Sequence, residues 1–240
     1  MTKYLIAGHV VAMEHASPEA ERALDAYRYR GELAPEHVFS VTPEALRAAG
    51  EEWLKGYQGE IEEYLLSRAF CLWLAPRGGM YLHASAVAMD GFAYAFTAAP
   101  GTGKSTHAHL WRQAFGERAE ILNDDKPLIV QRDGAFYVCG SPWSGKEGIR
   151  SRREVPLAAV CFLRQGRENA ICRADTETAV APLLAQTLLP EEPREMDALL
   201  TLVDHLVRTI PLYRMECMIS EDAARLAYGA MRPDQKDVPT

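Results

Sequence analysis

Apolar residues rich in Ile, Val and Ala alternate loosely from Tyr4 to Met13, which predicts a strand, and a second short strand follows near His37–Val41. Thr42-Pro43-Glu44 opens a helix, with Thr as cap, Pro in the first turn and Glu beside the positive helix end. Ile61, Tyr64, Leu65 and Ala69 fall three or four apart and predict a second helix over Gly59–Trp73, ended by Pro76-Arg77-Gly78-Gly79. From Met80 the pattern turns to strands. Met80–Met89 and Phe92–Thr97 flank Asp90-Gly91, and Lys126–Gln131 and Ala135–Cys139 flank Asp133-Gly134, so two antiparallel hairpins are predicted. Leu157–Leu163 is continuously apolar, as in a strand buried on both faces, and Arg164-Gln165-Gly166 turns it toward a partner at Asn169–Arg173. Helices follow from Asp175 or Thr176 to Leu189 and from Glu192-Pro193 to Arg208. Pro211–Met218 is a last strand, Ser220-Glu221-Asp222 caps a final helix to Met231, and Arg232–Thr240 is a frayed tail.

Composition narrows the class. The chain has 240 residues, with 48% hydrophobic and 25% charged, enough to bury a sizeable core and ordinary for a globular protein. Its net charge of −7 argues against broad nucleic-acid binding, which rests on neutralising many phosphates, but not against capture of one phosphorylated ligand. No apolar run approaches a membrane span, and His9 and Glu14 interrupt the first residues before they could act as a secretory signal. Cys71, Cys139, Cys161, Cys172 and Cys217 are scattered without CxxC or zinc spacing and are expected to be reduced, which fits a cytoplasmic protein. The expected organisation is an N-terminal α/β flank over residues 1–79 packed on a core unit over residues 80–240.

The chemistry concentrates in Ala98-Ala99-Pro100-Gly101-Thr102-Gly103-Lys104-Ser105-Thr106, which follows a predicted strand and precedes a helix. In such a loop glycines turn successive backbone N–H groups inward and the helix N-terminus adds positive potential. Lys104 would reach the outer phosphates and Ser105 would bind Mg²⁺. Ala98 stands where the full G-x-x-x-x-G-K-[ST] pattern has its first glycine. Residues Ala99 to Thr106 are therefore the expected nucleotide site, with ATP and Mg²⁺ as its occupants. Twenty residues beyond Lys104, Asn123-Asp124-Asp125 ends a short strand with two adjacent carboxylates, one suited to hold Mg²⁺ and the other to take a proton from an attacking hydroxyl.

His83 ahead of a strand hairpin, then AAPGTGKST, then NDD, resembles the HPr kinase/phosphorylase catalytic domain and its relatives in the phosphoenolpyruvate-carboxykinase-like P-loop group. The resemblance spans about Tyr81–Leu163. It implies an α/β fold with a mixed parallel and antiparallel sheet, Lys104 on the β- and γ-phosphates, Ser105 on the metal, and the acidic pair as general base and metal contact. His83 matches the histidine of that group's "HG" segment, here followed by Ala84. The group's Gly-rich signature is replaced by Gly140-Ser141-Pro142-Trp143-Ser144-Gly145-Lys146, so the phosphocarrier HPr is not implied as substrate. In these respects the chain resembles HPr-kinase-like proteins, some of which accompany peptide-modification gene clusters.

The resulting expectation is Mg·ATP-dependent phosphoryl transfer to a hydroxyl, on a Ser or Thr of a protein or peptide. Asp124 would be the base, Asp125 and Ser105 the metal contacts, and His83 a group near the γ-phosphate. Trp143, Lys146 and Arg150 are candidates to touch acceptor or phosphate: Trp143 by stacking, Lys146 as a mobile cation, Arg150 as part of the Arg150, Arg152, Arg153 cluster. A small-molecule kinase and a non-catalytic, nucleotide-responsive binding protein are the alternatives. Neither nucleic acid nor membrane is an expected partner, and a homo-oligomer is compatible with the sequence.

Overall fold

A computed structural model describes residues 1–53 and 58–233; the predicted tail beyond Pro233 lies outside the described residues. The chain opens with strands β1 (Lys3–Ile6) and β2 (His9–Glu14), helix α1 (Pro18–Leu24), strand β3 (Val38–Ser40), and helices α2 (Pro43–Trp53) and α3 (Gln58–Leu74). Then come β4 (Gly79–Tyr81), β5 (Ala84–Met89), β6 (Phe92–Thr97), α4 (Lys104–Phe115), β7 (Ala119–Asn123), β8 (Leu128–Arg132) and β9 (Ala135–Cys139). The last part holds β10 (Glu154–Gln165), β11 (Ala170–Arg173), α5 (Thr176–Leu184), α6 (Pro193–Thr209), β12 (Leu212–Cys217) and α7 (Glu221–Met231).

The predicted first strand is a hairpin. Ala7 and Gly8 both take positive φ, +49° and +80°, the turn geometry that lets β2 fold back on β1. Asp90-Gly91 and Asp133-Gly134 form the two expected turns with the same φ signs. Met80–Met89 is two strands: β4 pairs with β8, whereas β5 pairs with β6 and β7, and the chain changes partners across Leu82-His83. The expected partnership of Leu157–Leu163 with Asn169–Arg173 is also replaced, because β12 inserts between them, parallel to β10 and antiparallel to β11.

Beyond a small β1-β2-β3 sheet, nine strands form one mixed sheet, with β10 parallel to both β6 and β12 and its other pairings antiparallel. The long β10 holds it together, carrying β9 along its first residues and β6 and β12 along the rest. On one face Ala84, Ala95 and Val160 pack under α5 and α6; on the other Tyr94, Phe96 and Cys161 pack under α4 and α7. A third cluster joins the N-terminal strands, α1 and α3 to Leu128, Val130, Cys139 and Trp143.

Local signals end the helices. Ser220 caps α7 by accepting the Ala223 N–H at 3.3 Å and also accepts from the Asn169 side chain at 3.0 Å. Ser220→Ala is expected to cost about 1 kcal/mol, read as a lower urea midpoint with an unchanged slope. Helix α5 ends at Leu184, short of the expected Leu189, and carries Pro182 within it. Proline has no N–H for the Thr178 carbonyl, and that oxygen instead faces the Arg214 guanidinium at 3.5 Å.

Candidate functional site

The site lies where β6 and β7 end. After Thr97 the loop Ala98–Gly103 passes into α4 with Gly101 at φ +78° and Gly103, the helix cap, at φ +109°. Both angles are costly for residues with a Cβ, which is why glycine stands at these two positions. The loop turns through a Thr102 N–H bond to the Ala99 carbonyl, and Gln165 from the end of β10 braces it by donating to the Thr102 carbonyl at 3.2 Å. Ala98 is buried in the core beneath the loop.

Lys104 is 8% exposed, and its ammonium donates one hydrogen bond, to the Ala98 carbonyl at 3.3 Å. Burial lowers its pKa, opposed by the charge of Asp125. A buried cation with three donors and a single long bond is short of acceptors, and the N-terminus of α4 beside it offers further N–H groups. The Ser105 hydroxyl lies 3.3 Å from the Asp124 carbonyl, which also accepts from the Ser85 hydroxyl at 2.9 Å. Strand β7 is thereby fastened to the start of α4.

The two aspartates are not equivalent. Asp124 is 3% exposed, and its carboxylate accepts the Gly145 N–H at 2.8 Å and the Glu147 N–H at 3.3 Å. The base role expected of Asp124 is at odds with this geometry, since both oxygens are engaged by the 144–150 loop. Asp125 lies instead beside His83, whose Nε2 is 3.3 Å from Oδ1, with Lys126 at 3.6 Å from Oδ2. Burial alone would raise the Asp125 carboxyl, but the hydrogen bond from His83 and the charges of Lys126, His83 and Lys104 hold it below its ordinary value. Asn123 shapes this end by accepting the Asp125 and Lys126 N–H groups at 2.9 and 2.6 Å while donating to the Trp143 carbonyl.

The structure therefore brings Lys104, Ser105, Asp125 and His83 together around the loop. Trp143 is not with them: it is 1% exposed and packs on Phe70 at a ring distance of 5.5 Å, so it cannot stack on a base or an acceptor. Lys146 is exposed, flanked by the two residues whose amides hold Asp124. Arg150 pairs as a β-bridge with Asn123 and donates to the Gly148 carbonyl and to the Arg22 carbonyl on α1. Glu147 also meets His109, which ties the loop to α4. Gln186 was not legible in advance: its Oε1 is 3.0 Å from His83 Nδ1, and its carbonyl accepts the His83 N–H at 2.7 Å. The partners are 103 residues apart, and only the early end of α5 brings them together.

His107, one turn into α4, is buried against Phe96. Its Nε2 accepts from the Trp111 indole at 3.2 Å, which leaves the ring proton on Nδ1 without an acceptor. Burial pushes its pKa from 6.5 down to about 4. The unfolded chain then binds the extra proton first as pH falls, so stability present above pH 6.5 is lost progressively down to about 4, by about 3 kcal/mol. His107→Gln is expected to flatten the urea midpoint across that window; an unchanged pH dependence would show that another group titrates there.

Among the described residues no three His, Cys, Asp or Glu side chains are grouped to hold a metal, and no helix is long and apolar enough to cross a membrane. The family described as SynChlorMet cassette protein ScmC matches residues 66–222. Among solved structures, the HPr(Ser) kinase/phosphatase from Coxiella burnetii is similar at 10% identity over 63% of this chain and 97% of that one, with a TM-score of 0.34. No curated protein matches the chain.

Proposed function

Because the chain belongs to the SynChlorMet cassette protein ScmC family, whose name states no reaction, we propose from the site itself that it is a cytoplasmic, Mg·ATP-dependent phosphotransferase acting on a hydroxyl group of a protein or peptide. The observation that carries this reading is the buried Lys104 ammonium, short of acceptors, at the start of α4 and beside the Asp125–His83 pair.

The backbone N–H groups of Gly101 and of Gly103 to Thr106, with the Lys104 ammonium, suit the phosphates of ATP, the substrate. Mg²⁺ keeps most of its waters and phosphate oxygens as ligands and needs one or two protein groups, so the Ser105 hydroxyl with an Asp125 oxygen is a sufficient set. Bound there, the ion would neutralise charge on the transferring phosphoryl group. Asp125 takes the base role in place of Asp124: the acceptor oxygen bonds to the γ-phosphorus, the bond to the ADP oxygen breaks, and the acceptor proton passes to the Asp125 carboxylate. His83 orients that carboxylate and is itself held by Gln186. Lys146, on the loop gripped by Asp124, supplies a further cation toward the phosphates.

The test is incubation with Mg²⁺ and γ-labelled ATP, alone, with cell extract and with Ser- and Thr-containing peptides. Label transferred to a polypeptide supports the reading. Label appearing only on small molecules favours a small-molecule kinase, and ATP binding with no transfer to anything favours a nucleotide-responsive binding protein.

A further inference from the structure

The loop that starts α4 leaves β6 at an edge shared by three parallel strands. β6, β10 and β12 run the same way, so their carboxyl ends open together, and that is the edge at which open α/β sheets take ligands. β6 ends at Thr97, opposite Phe162, whereas β10 runs three residues farther to Gln165, which stands opposite Cys217 at the end of β12. The last residues of β10 and β12 therefore rise beside the phosphate loop as a wall of about 10 Å. Wall and loop touch: the Gln165 amide that donates to the Thr102 carbonyl also lies 3.5 Å from that of Gly101.

The top of this wall is fixed and apolar. The Gly166 N–H donates to the Cys217 carbonyl at 3.1 Å. Asn169, in the turn after β10, accepts the Met218 N–H at 2.9 Å and donates to the Ser220 hydroxyl at 3.0 Å. These bonds tie the β10–β11 turn to the β12–α7 turn. Within that tied unit Met218 and Ile219 are 43% and 81% exposed, the one adjacent pair of exposed large hydrophobic residues among the described residues. Exposed hydrophobics scattered singly are ordinary, but a pair presented on a pinned turn beside a ligand loop suits a flat apolar ligand surface.

The direction of the site decides which end of a nucleotide lies there. The strand order β12-β10-β6-β5-β7 puts the Asp124-Asp125 carboxylates two strands from β6 on one side and the Met218-Ile219 turn two strands from it on the other. Metal and γ-phosphate belong with the carboxylates, so a nucleotide stretched along the loop sends its nucleoside toward β10 and β12. Two strand spacings come to about 10 Å, the reach of a base from its own phosphates.

We propose that the Met218–Ile219 turn is the platform on which the adenine base of ATP lies when the triphosphate occupies the loop. This rests on the phosphotransferase reading and adds to it the subsite that distinguishes a nucleotide from its bare phosphates.

Isothermal titration calorimetry of the full chain with Mg·ATP and with Mg·ribose 5-triphosphate, which has the same charge and lacks only the base, tests it. ATP is expected to bind about tenfold more tightly, the scale of covering one exposed aliphatic side chain. Met218→Ser with Ile219→Ser should bring ATP down to the affinity of ribose 5-triphosphate and leave the latter where it was, with the melting temperature held because both residues are exposed. Met218→Leu with Ile219→Leu should keep most of the difference. Equal affinities of the two ligands for the wild-type protein overturn the platform, and so does a serine pair that leaves ATP unaffected or weakens both ligands alike. Transfer of γ-label from ATP would then leave the phosphotransferase reading standing. ATP binding that needs the Met218–Ile219 pair, with no label transferred to anything, keeps the platform and removes the phosphotransferase. Binding of neither ligand overturns both.

Discussion

Replacing Lys104 with alanine is expected to lower γ-phosphate transfer from ATP by about a thousandfold, the range seen when one preorganised donor to a developing charge is removed. The ammonium is buried, bonded once to the Ala98 carbonyl, and pushed toward its neutral form by that burial. Asp125 offsets part of this, and phosphate oxygens would supply the missing acceptors, so the unfavourable position of Lys104 without nucleotide becomes favourable with it. Transition-state charge strengthens the same contact, and loss therefore falls on turnover as well as on binding. Fold stability should change little, since no core contact depends on the ammonium. Transfer of label from γ-labelled ATP, measured beside a thermal melt, separates the two effects. A Lys104→Ala protein that melts normally and transfers phosphate at the wild-type rate would remove Lys104 from the chemistry.

What the sequence made legible was local. Gly101 and Gly103 mark the loop because their positive φ is a property of those two residues, and Asp90-Gly91 and Asp133-Gly134 mark turns for the same reason. Ala7-Gly8 adopts the same turn, but alanine gives no such signal, so the first hairpin read as one strand. Further along, the departures from the sequence pattern concern strand partners. The split of Met80–Met89 is imposed by β8 on one side and β6 on the other, and the separation of β10 from β11 by a strand that arrives after α5 and α6. Trp143 sits in a turn-rich stretch that reads as surface, yet the core beside Phe70 covers it. In the site itself, residue types and spacing pointed to Lys104, Ser105 and the acidic pair. The division of work between Asp124 and Asp125 depends on which carboxylate the 144–150 loop occupies, and that is a tertiary fact.

The second large effect follows from that division. Asp125→Asn is expected to keep metal-free ATP binding, weaken the Mg²⁺ contact, and lose transfer by about 10²- to 10⁴-fold, the usual contribution of a positioned acid or base. Asparagine keeps the shape and a hydrogen-bond partner for His83 but cannot accept the acceptor proton. A carboxylate held below its ordinary value of 3.8 is a weak base, which suits a loose phosphoryl-transfer transition state dominated by positioning and charge stabilisation. The acid limb of kcat/KM should accordingly lie below pH 3.8 in any range where the fold survives. Asp124→Asn should behave differently. Its amide group offers one acceptor where two backbone N–H groups, of Gly145 and Glu147, need one each, so one buried donor goes unmet. The expected cost is about 1–3 kcal/mol of stability, with faster amide exchange at Gly145 and Glu147, and a smaller fall in transfer as the Lys146 loop loosens. The two variants side by side, each measured for label transfer, nucleotide affinity and urea midpoint, decide the assignment. Abolished transfer with unchanged stability in Asp124→Asn, and near-normal transfer in Asp125→Asn, would return the base to Asp124 and make the bonds to Gly145 and Glu147 a resting arrangement that opens when the acceptor binds.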